Sequence, residues 1–195
     1  MLPTGLTELD RKLRGGVPPG SLVALTAPPD TQSELLPEQV ARANDSTYVT
    51  TLRDEATVAE RLPDATVLRA TSEALLSDPA SYLDVPQGGC LVVDAVTRLE
   101  RETETYREFL EAASRQAREA DGVVLLHAHE TAPEPPERWL TLARADVTWR
   151  LSLVVNPLAV ETRLAVTKNR HGSALTEPLK LRLTDHVAID SSRDI

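Results

Sequence analysis

Aromatic residues are scarce in this 195-residue chain: one Phe, two Trp and three Tyr, 3% in all. A core made from it has to rest on Leu, Val and Ala. Trp139 and Trp149 are too few for a base-stacking platform of the kind that binds single-stranded nucleic acid. Lysine is scarce as well. Lys12, Lys168 and Lys180 are the only three among 21 basic residues, the rest being Arg. Cys90 is the single cysteine, which excludes an intrachain disulfide. Its place in the apolar run Cys90-Leu91-Val92-Val93 reads as a buried, inert thiol. Together with His127, His129, His171 and His186 it forms no zinc-binding spacing, so the histidines read as structural and no metal site is expected. No G-x-S-x-G elbow is present, which removes the usual hydrolase signal. No apolar stretch approaches the ~20 residues of a membrane span, and no apolar N-terminal segment follows a basic start. The expectation is a cytoplasmic protein.

Acids are plentiful: 30 Asp and Glu against 21 Lys and Arg give a formal charge of −9. Such a surface repels nucleic acid and anionic membrane over most of its area. An acid-rich, lysine-poor composition fits a salt-accumulating cytoplasm, such as that of halophilic archaea, where salt screens the self-repulsion. Apolar residues at 41% are enough for a packed core, and the length suits one domain over 1–195.

Along the chain, strands and helices alternate. Thr7 to Leu13 reads as a short helix capped by Thr7 and closed by Gly15-Gly16. Ser21 to Thr26 reads as a buried strand, and Gln32 to Ala43 as a helix in which Pro37 predicts a kink. Strands are expected at Thr47 to Leu52, Ala65 to Arg69, Cys90 to Asp94 and Gly122 to His127. Helices are expected at Glu55 to Leu62, Ser72 to Leu83 (broken), Glu100 to Ala120 and Glu137 to Ala145. The longest shows an apolar stripe at Leu99, Thr103, Tyr106, Leu110, Ala113, Ala117 and Ala120, spaced three and four. From Asp146 the pattern changes to strands joined by short turns: Val147 to Val155, Ala159 to Thr167, Leu179 to Leu183 and Val187 to Ile189. This order predicts an α/β fold: a mainly parallel central sheet flanked by helices, with antiparallel strands at the C-terminus. Ligands of such sheets bind beyond the carboxyl ends of the strands, here the segments after Ala27, Leu52, Asp94 and His127.

The opening carries a resemblance. Thr4-Gly5-Leu6-Thr7-Glu8-Leu9-Asp10 and Gly15-Gly16-Val17-Pro18-Pro19-Gly20-Ser21-Leu22 resemble the leader of the KaiC/RadA branch of the RecA superfamily, whose members have a RecA-like P-loop NTPase fold. In that branch the first strand runs into a phosphate loop, where glycine amides close around phosphates, a Lys reaches the outer ones and a Ser or Thr holds magnesium. This chain has Ala27-Pro28-Pro29-Asp30-Thr31-Gln32-Ser33-Glu34. Pro28, Pro29 and Thr31 fit the family's form. Asp30 and Gln32 stand at glycine positions, Ser33 at the lysine and Glu34 at the magnesium hydroxyl. Two carboxylates ~4 Å apart repel by ~4 kcal/mol at an effective dielectric near 20. The helix terminus, carrying about half a positive charge, does not offset two acids and a triphosphate. Asp30 could instead fill the anion site itself, as a built-in cap.

Further segments extend the resemblance. Thr47-Tyr48-Val49-Thr50-Thr51-Leu52-Arg53 matches the strand after which the family carries a water-activating acidic pair, but Leu52-Arg53 stands there. Asp54 and Glu55 follow, and read as the first turn of the next helix. Leu91-Val92-Val93-Asp94-Ala95-Val96-Thr97 resembles the Walker B strand, with Asp94 as its magnesium-orienting acid or as a cap for the loop that follows. Thr167-Lys168-Asn169-Arg170-His171-Gly172 resembles the K-x-R segment with which such oligomers reach the nucleotide of an adjacent subunit; Lys168 and Arg170 share one strand face and are candidate trans-acting residues. The resemblance implies a non-hydrolysing pseudo-ATPase with a degenerate phosphate loop, no catalytic residue and no cofactor, acting on related subunits or another protein as a regulator or scaffold. The alternatives are a working KaiC/RadA-like ATPase that binds ATP-Mg in signalling or DNA recombination and repair, and a DNA-binding recombination accessory, which the acidic charge opposes.

Overall fold

The computed structural model describes residues 1–157 and 159–190; Leu158 and residues 191–195, which close the predicted domain, lie outside it. Nine strands form one sheet in the order β3-β2-β4-β5-β1-β6-β7-β8-β9. Six run parallel: β1 (Ser21–Ala27), β2 (Ser46–Thr50), β3 (Thr66–Arg69), β4 (Cys90–Asp94), β5 (Val123–His129) and β6 (Val147–Asn156). Strands β7 (Ala159–Asn169), β8 (Leu179–Leu183) and β9 (Val187–Ile189) extend it antiparallel, hairpin by hairpin. Helix α1 (Thr7–Lys12) precedes β1, and helices α2 (Leu35–Arg42), α3 (Glu55–Arg61), α4 (Ser72–Ser77), α5 (Thr103–Glu119) and α6 (Arg138–Arg144) lie in the crossovers between the parallel strands.

Alternation along the central strands divides the core in two. Val23 and Leu25 of β1, Cys90 and Val92 of β4 and Leu125 of β5 pack with α1, α2, α3 and Trp149. Leu22, Leu91, Val93, Val124 and Leu126 face the other way, against α4, α5 and α6. Both faces of β1 and β4 are therefore buried, and their sequences read as continuous apolar runs. Burial also pushes the Cys90 thiol up to about 12, which keeps it protonated and unreactive.

Several local expectations are corrected. Thr7 does not cap α1, whose N-cap is Leu6 with no side-chain bond; Thr4 Oγ1 instead accepts the Leu6 amide at 3.2 Å. Helix α2 begins at Leu35, so Pro37 falls in its first turn, where an amide has no intrahelical partner to lose, and no kink is required. The stripe on α5 runs through Tyr106, Phe109, Leu110, Ala113 and Ala117; Thr103 is exposed, because a 3-10 turn at Leu99–Arg101 precedes the helix and rotates its start. Strand β2 ends at Thr50, and Leu52 is 53% exposed. Gly16 closes the leader. With φ +113, an added Cβ would lie 2.1 Å from the Leu2 carbonyl oxygen, where Leu2 and Val17 exchange backbone bonds.

Candidate functional site

The carboxyl ends of β1, β2, β4 and β5 meet at one point. Register places Asp94 directly opposite His127 on β5 and Thr50 on β2. Paired residues of adjacent strands share a face, so Asp94, His127 and Tyr48 all point toward α2, the helix that follows the Ala27–Glu34 loop.

A continuous chain of polar contacts runs through this point. Ser33 Oγ lies 3.0 Å from His127 Nε2, and His127 Nδ1 lies 2.7 Å from Asp94 Oδ1. The other carboxylate oxygen, Oδ2, accepts from the Tyr48 hydroxyl at 2.8 Å and from Arg53 Nη2 at 2.9 Å. Arg53 continues through Nη1 to Glu38 Oε1 at 2.6 Å, and Glu38 Oε2 accepts from Arg42 at 2.9 Å and Arg61 at 2.8 Å. Ser33, Glu38, Tyr48 and His127 are wholly buried, and Asp94 nearly so. Three guanidiniums thus face two carboxylates, so the buried charge is compensated within the chain.

The protonation states follow from the contacts. Burial alone raises the Asp94 carboxyl, but the His127 bond and charge, Arg53 and Tyr48 outweigh it and hold Asp94 below the usual carboxylate range. Desolvation and the Asp94 charge raise Tyr48 well above an ordinary phenol, so its hydroxyl stays a donor. For Arg53, burial opposes the charge, and the Tyr48, Asp94 and Glu38 partners reverse this and keep it cationic. With Asp94 ionised, His127 Nδ1–H donates to it, and His127 Nε2 faces the Ser33 hydroxyl. That is the connectivity of an acyl-transfer triad. Nucleophile access is missing, since Ser33 has 0% exposure, and the Asp94 carboxylate is divided between His127, Tyr48 and Arg53. The arrangement ties three strands and a helix together.

The loop residues are sorted by this chain. Ala27 ends β1 buried, and the Pro28 carbonyl accepts both the Thr31 amide (3.3 Å) and the Thr31 hydroxyl (2.7 Å). Pro29, Asp30 and Gln32 are exposed, and Glu34 is half-buried at the N-cap of α2. Asp30 makes no hydrogen bond or ion pair among the described residues, so it does not supply the built-in cap. Ser33 turns inward instead, drawn by His127. Arg53 also turns inward, while Asp54 caps α3 by accepting from the Ala56 and Thr57 amides. Asp94 does not cap the loop after β4, whose Ala95 amide goes to Thr51 Oγ1 at 2.9 Å. Glu38 and the part played by Tyr48 escaped the sequence reading, which named His127 only as a structural histidine at a strand end. One signal was present: an acid within the apolar stripe Leu35, Leu36, Val40, Ala41 of α2 demands buried cations.

Lys168 and Arg170 lie at the other end of the sheet, where β7 returns beside the start of β6. Lys168 Nζ donates to the Leu142 carbonyl at 2.8 Å and to Ala143 at 3.1 Å. Arg170 Nη2 donates to the Ala143 carbonyl at 2.7 Å and Nε to Ala145 at 3.4 Å. Both bind the C-terminal carbonyls of α6, where cations suit the helix dipole. Burial, then the neighbouring Arg170, lowers the Lys168 ammonium below its ordinary range. Among the described residues no cluster of three or more His, Cys, Asp or Glu is poised for a metal, and no helix is long and apolar enough to cross a membrane.

The strand order, the crossovers and the loop-to-helix junction define a RecA-like α/β fold. A KaiC-like protein of the hyperthermophilic archaeon Pyrococcus horikoshii OT3 superposes with a TM-score of 0.76 at 13% identity, over 96% of this chain and 97% of that one. The RadB recombinase superposes with a TM-score of 0.74 at 19% identity, over 96% of this chain and 99% of that one. The chain itself belongs to the family of unknown function DUF7125, which it matches over residues 1–195. Comparison with the curated proteins gives no match.

Proposed function

We propose that this chain is a single, non-hydrolysing RecA/KaiC-type domain. Its phosphate loop is degenerate, and it works as a regulator or scaffold by associating with related subunits or another protein. The observation that carries this reading is the closure of Asp94 by His127, Tyr48 and Arg53. Three donors from the chain share this buried carboxylate, with Tyr48 and Arg53 both on Oδ2, which leaves little of it to orient a magnesium-bound water. ATP-Mg does not fit the residues present. Ser33 is buried against His127 where the family's lysine would reach out, and Asp30 and Glu34 bring negative charge to the mouth. The acidic, lysine-poor surface further supports a salt-rich cytoplasm as its setting.

Calorimetric titration with ATP-Mg tests the reading. No binding is expected at millimolar nucleotide; a micromolar Kd would overturn it and favour a working ATPase. The quadruple change D30G/Q32G/S33K/E34T is expected to gain affinity without hydrolysis, since Leu52-Arg53 still lacks the acid.

The mixed-assembly form of the proposal gives Lys168 and Arg170 a target on a partner with an intact site. Their contacts to α6 support a capping role instead. An R170Q variant therefore separates the two. If the pair acts in trans, an active relative's ATPase rate changes several-fold on adding wild type and not on adding R170Q. If it only caps, R170Q alters this protein's melting temperature alone.

A further inference from the structure

Opposite the Asp94 end, at the amino edge of the parallel strands, a cleft of about 490 Å³ opens between the last turns of α5, the end of α6 and the β6–β7 base. Four guanidiniums line it: Arg115 and Arg118 from α5, Arg144 from α6 and Arg170 after β7. Only two carboxylates, Glu111 and Asp146, join them, which leaves an excess of two positive charges in a chain of net charge −9.

The four arginines are not equivalent. Arg144 is held by Glu111 at 2.8 Å, and Arg170 by the Ala143 carbonyl at 2.7 Å with Asp146 at 3.7 Å. These two are partnered within the chain, although both side chains stay part-exposed. Arg118 has no hydrogen-bond or ion-pair partner among the described residues. Arg115 has only Glu119, one turn on, at 4.0 Å across an exposed surface. The stem of Arg118 lies over Gly20, which sits at φ +74 with space for a Cβ only against Arg118 Cγ at 3.5 Å. The side chain is exposed and ends in an unneutralised fork.

We propose that this cleft is an oxyanion-binding site that takes the phosphoryl group of a small phosphorylated ligand. Guanidinium forks match phosphate bidentately, and Arg115 and Arg118, whose N–H groups have no close partner among the described residues, supply two such forks beside the two that are partnered. The concave shape and the local excess of two charges suit a compact di- or trianion. A nucleic-acid backbone would instead need an extended basic stripe, which the surrounding acids deny it. The site stands apart from the Ala27–Glu34 loop, so the chain could sense a phosphorylated ligand without an ATPase centre.

The test is calorimetric titration of the full chain with inorganic phosphate, pyrophosphate and ATP at fixed ionic strength, beside the double variant R115Q/R118Q and the control R107Q, an exposed change on the same helix. Wild type and R107Q are expected to bind pyrophosphate, and the double variant to bind it at least tenfold more weakly, with an unchanged melting temperature in the absence of ligand. Binding of ATP that persists in R115Q/R118Q would place it at the loop and would count against the pseudo-ATPase reading alone. Pyrophosphate binding equal in wild type and the double variant, or absent from wild type, would overturn the oxyanion site. A cleft that serves an acidic segment of a partner protein would give the latter result.

Discussion

At the scale of single residues, Ser33 and Arg53 decide the character of the site. Ser33 and Arg53 do not leave the site empty; they turn inward and close it around Asp94. Removing one partner from such a buried ionic network costs ~3–5 kcal/mol, whereas losing one neutral hydrogen bond to a buried group costs ~1–3 kcal/mol. We therefore expect D94N to destabilise more than S33A by urea denaturation. An S33A cost equal to that of D94N would mean that the chain is not connected as described. The two titrating groups act in separate pH windows. Burial, then the His127 charge, pushes His129 down to about 4, below an unfolded value of ~6.5. A depressed histidine contributes stability that is present above pH ~6.5 and is lost as pH falls toward 4, because the unfolded chain takes the proton first. The melting temperature of wild type should decline across that interval, and that of H129Q should decline less. Asp94, also depressed, gives its contribution up only below the ordinary carboxylate range near ~4.

At the scale of elements, the second core carries its own buried lock. Glu100, in the 3-10 turn before α5, accepts from Arg138 of α6 at 2.8 and 2.7 Å and from Thr141 at 2.6 Å. Arg138 also reaches the His129 carbonyl at 2.9 Å, which ties α6 to the end of β5. Tyr106 and Thr141 add a bond of 2.7 Å across the same joint. In a double-mutant cycle with E100Q and R138M, each single change should cost ~3–5 kcal/mol and the pair clearly less than their sum; additivity would show that the two do not act together. These elements also show what a sequence can disclose. Strand β4 at Cys90–Asp94 and strands β8 and β9 were legible to the residue, because the apolar run of β4 ends at Asp94, β8 alternates apolar and basic residues, and turn or charged residues follow β8 and β9. The start of α5 and the site network were not. Thr103 fits a helical stripe by spacing, and only the 3-10 turn before it shows that it faces water. His127 reads as one more residue of a buried strand until register sets it opposite Asp94. Long-range register carries no local signature, so Ser33, Arg53, Asp94 and His127 could each be named singly, while the contacts that join them could not.

At the scale of the whole molecule, the net charge of −9 sets a balance that salt can tip. A domain of this length has a radius of gyration of ~16 Å folded and ~47 Å unfolded. Spreading nine charges over spheres of those dimensions gives a folded-state excess repulsion of ~4 kcal/mol at 0.01 M salt, where the screening length is ~30 Å, and ~1 kcal/mol at 1 M, where it is ~3 Å. Screening also weakens the exposed pairs Arg69–Asp54, Arg115–Glu119 and Arg144–Glu111. Pairs of that kind contribute only ~0–1 kcal/mol each, and the geometry at 3.8 and 4.0 Å in two of them puts those at the low end. The buried contacts around Asp94, Glu38 and Glu100 are out of reach of mobile ions and drop out of the difference. Relief of self-repulsion therefore wins by ~1–2 kcal/mol, and at ~2–4 °C per kcal/mol for a chain of this size the melting temperature should rise by several degrees from 0.01 M to 1 M potassium chloride. Thermal melts followed by circular dichroism over that range check it. A flat or falling curve would mean that the acids are already neutralised locally, and would remove the argument for a salt-rich setting.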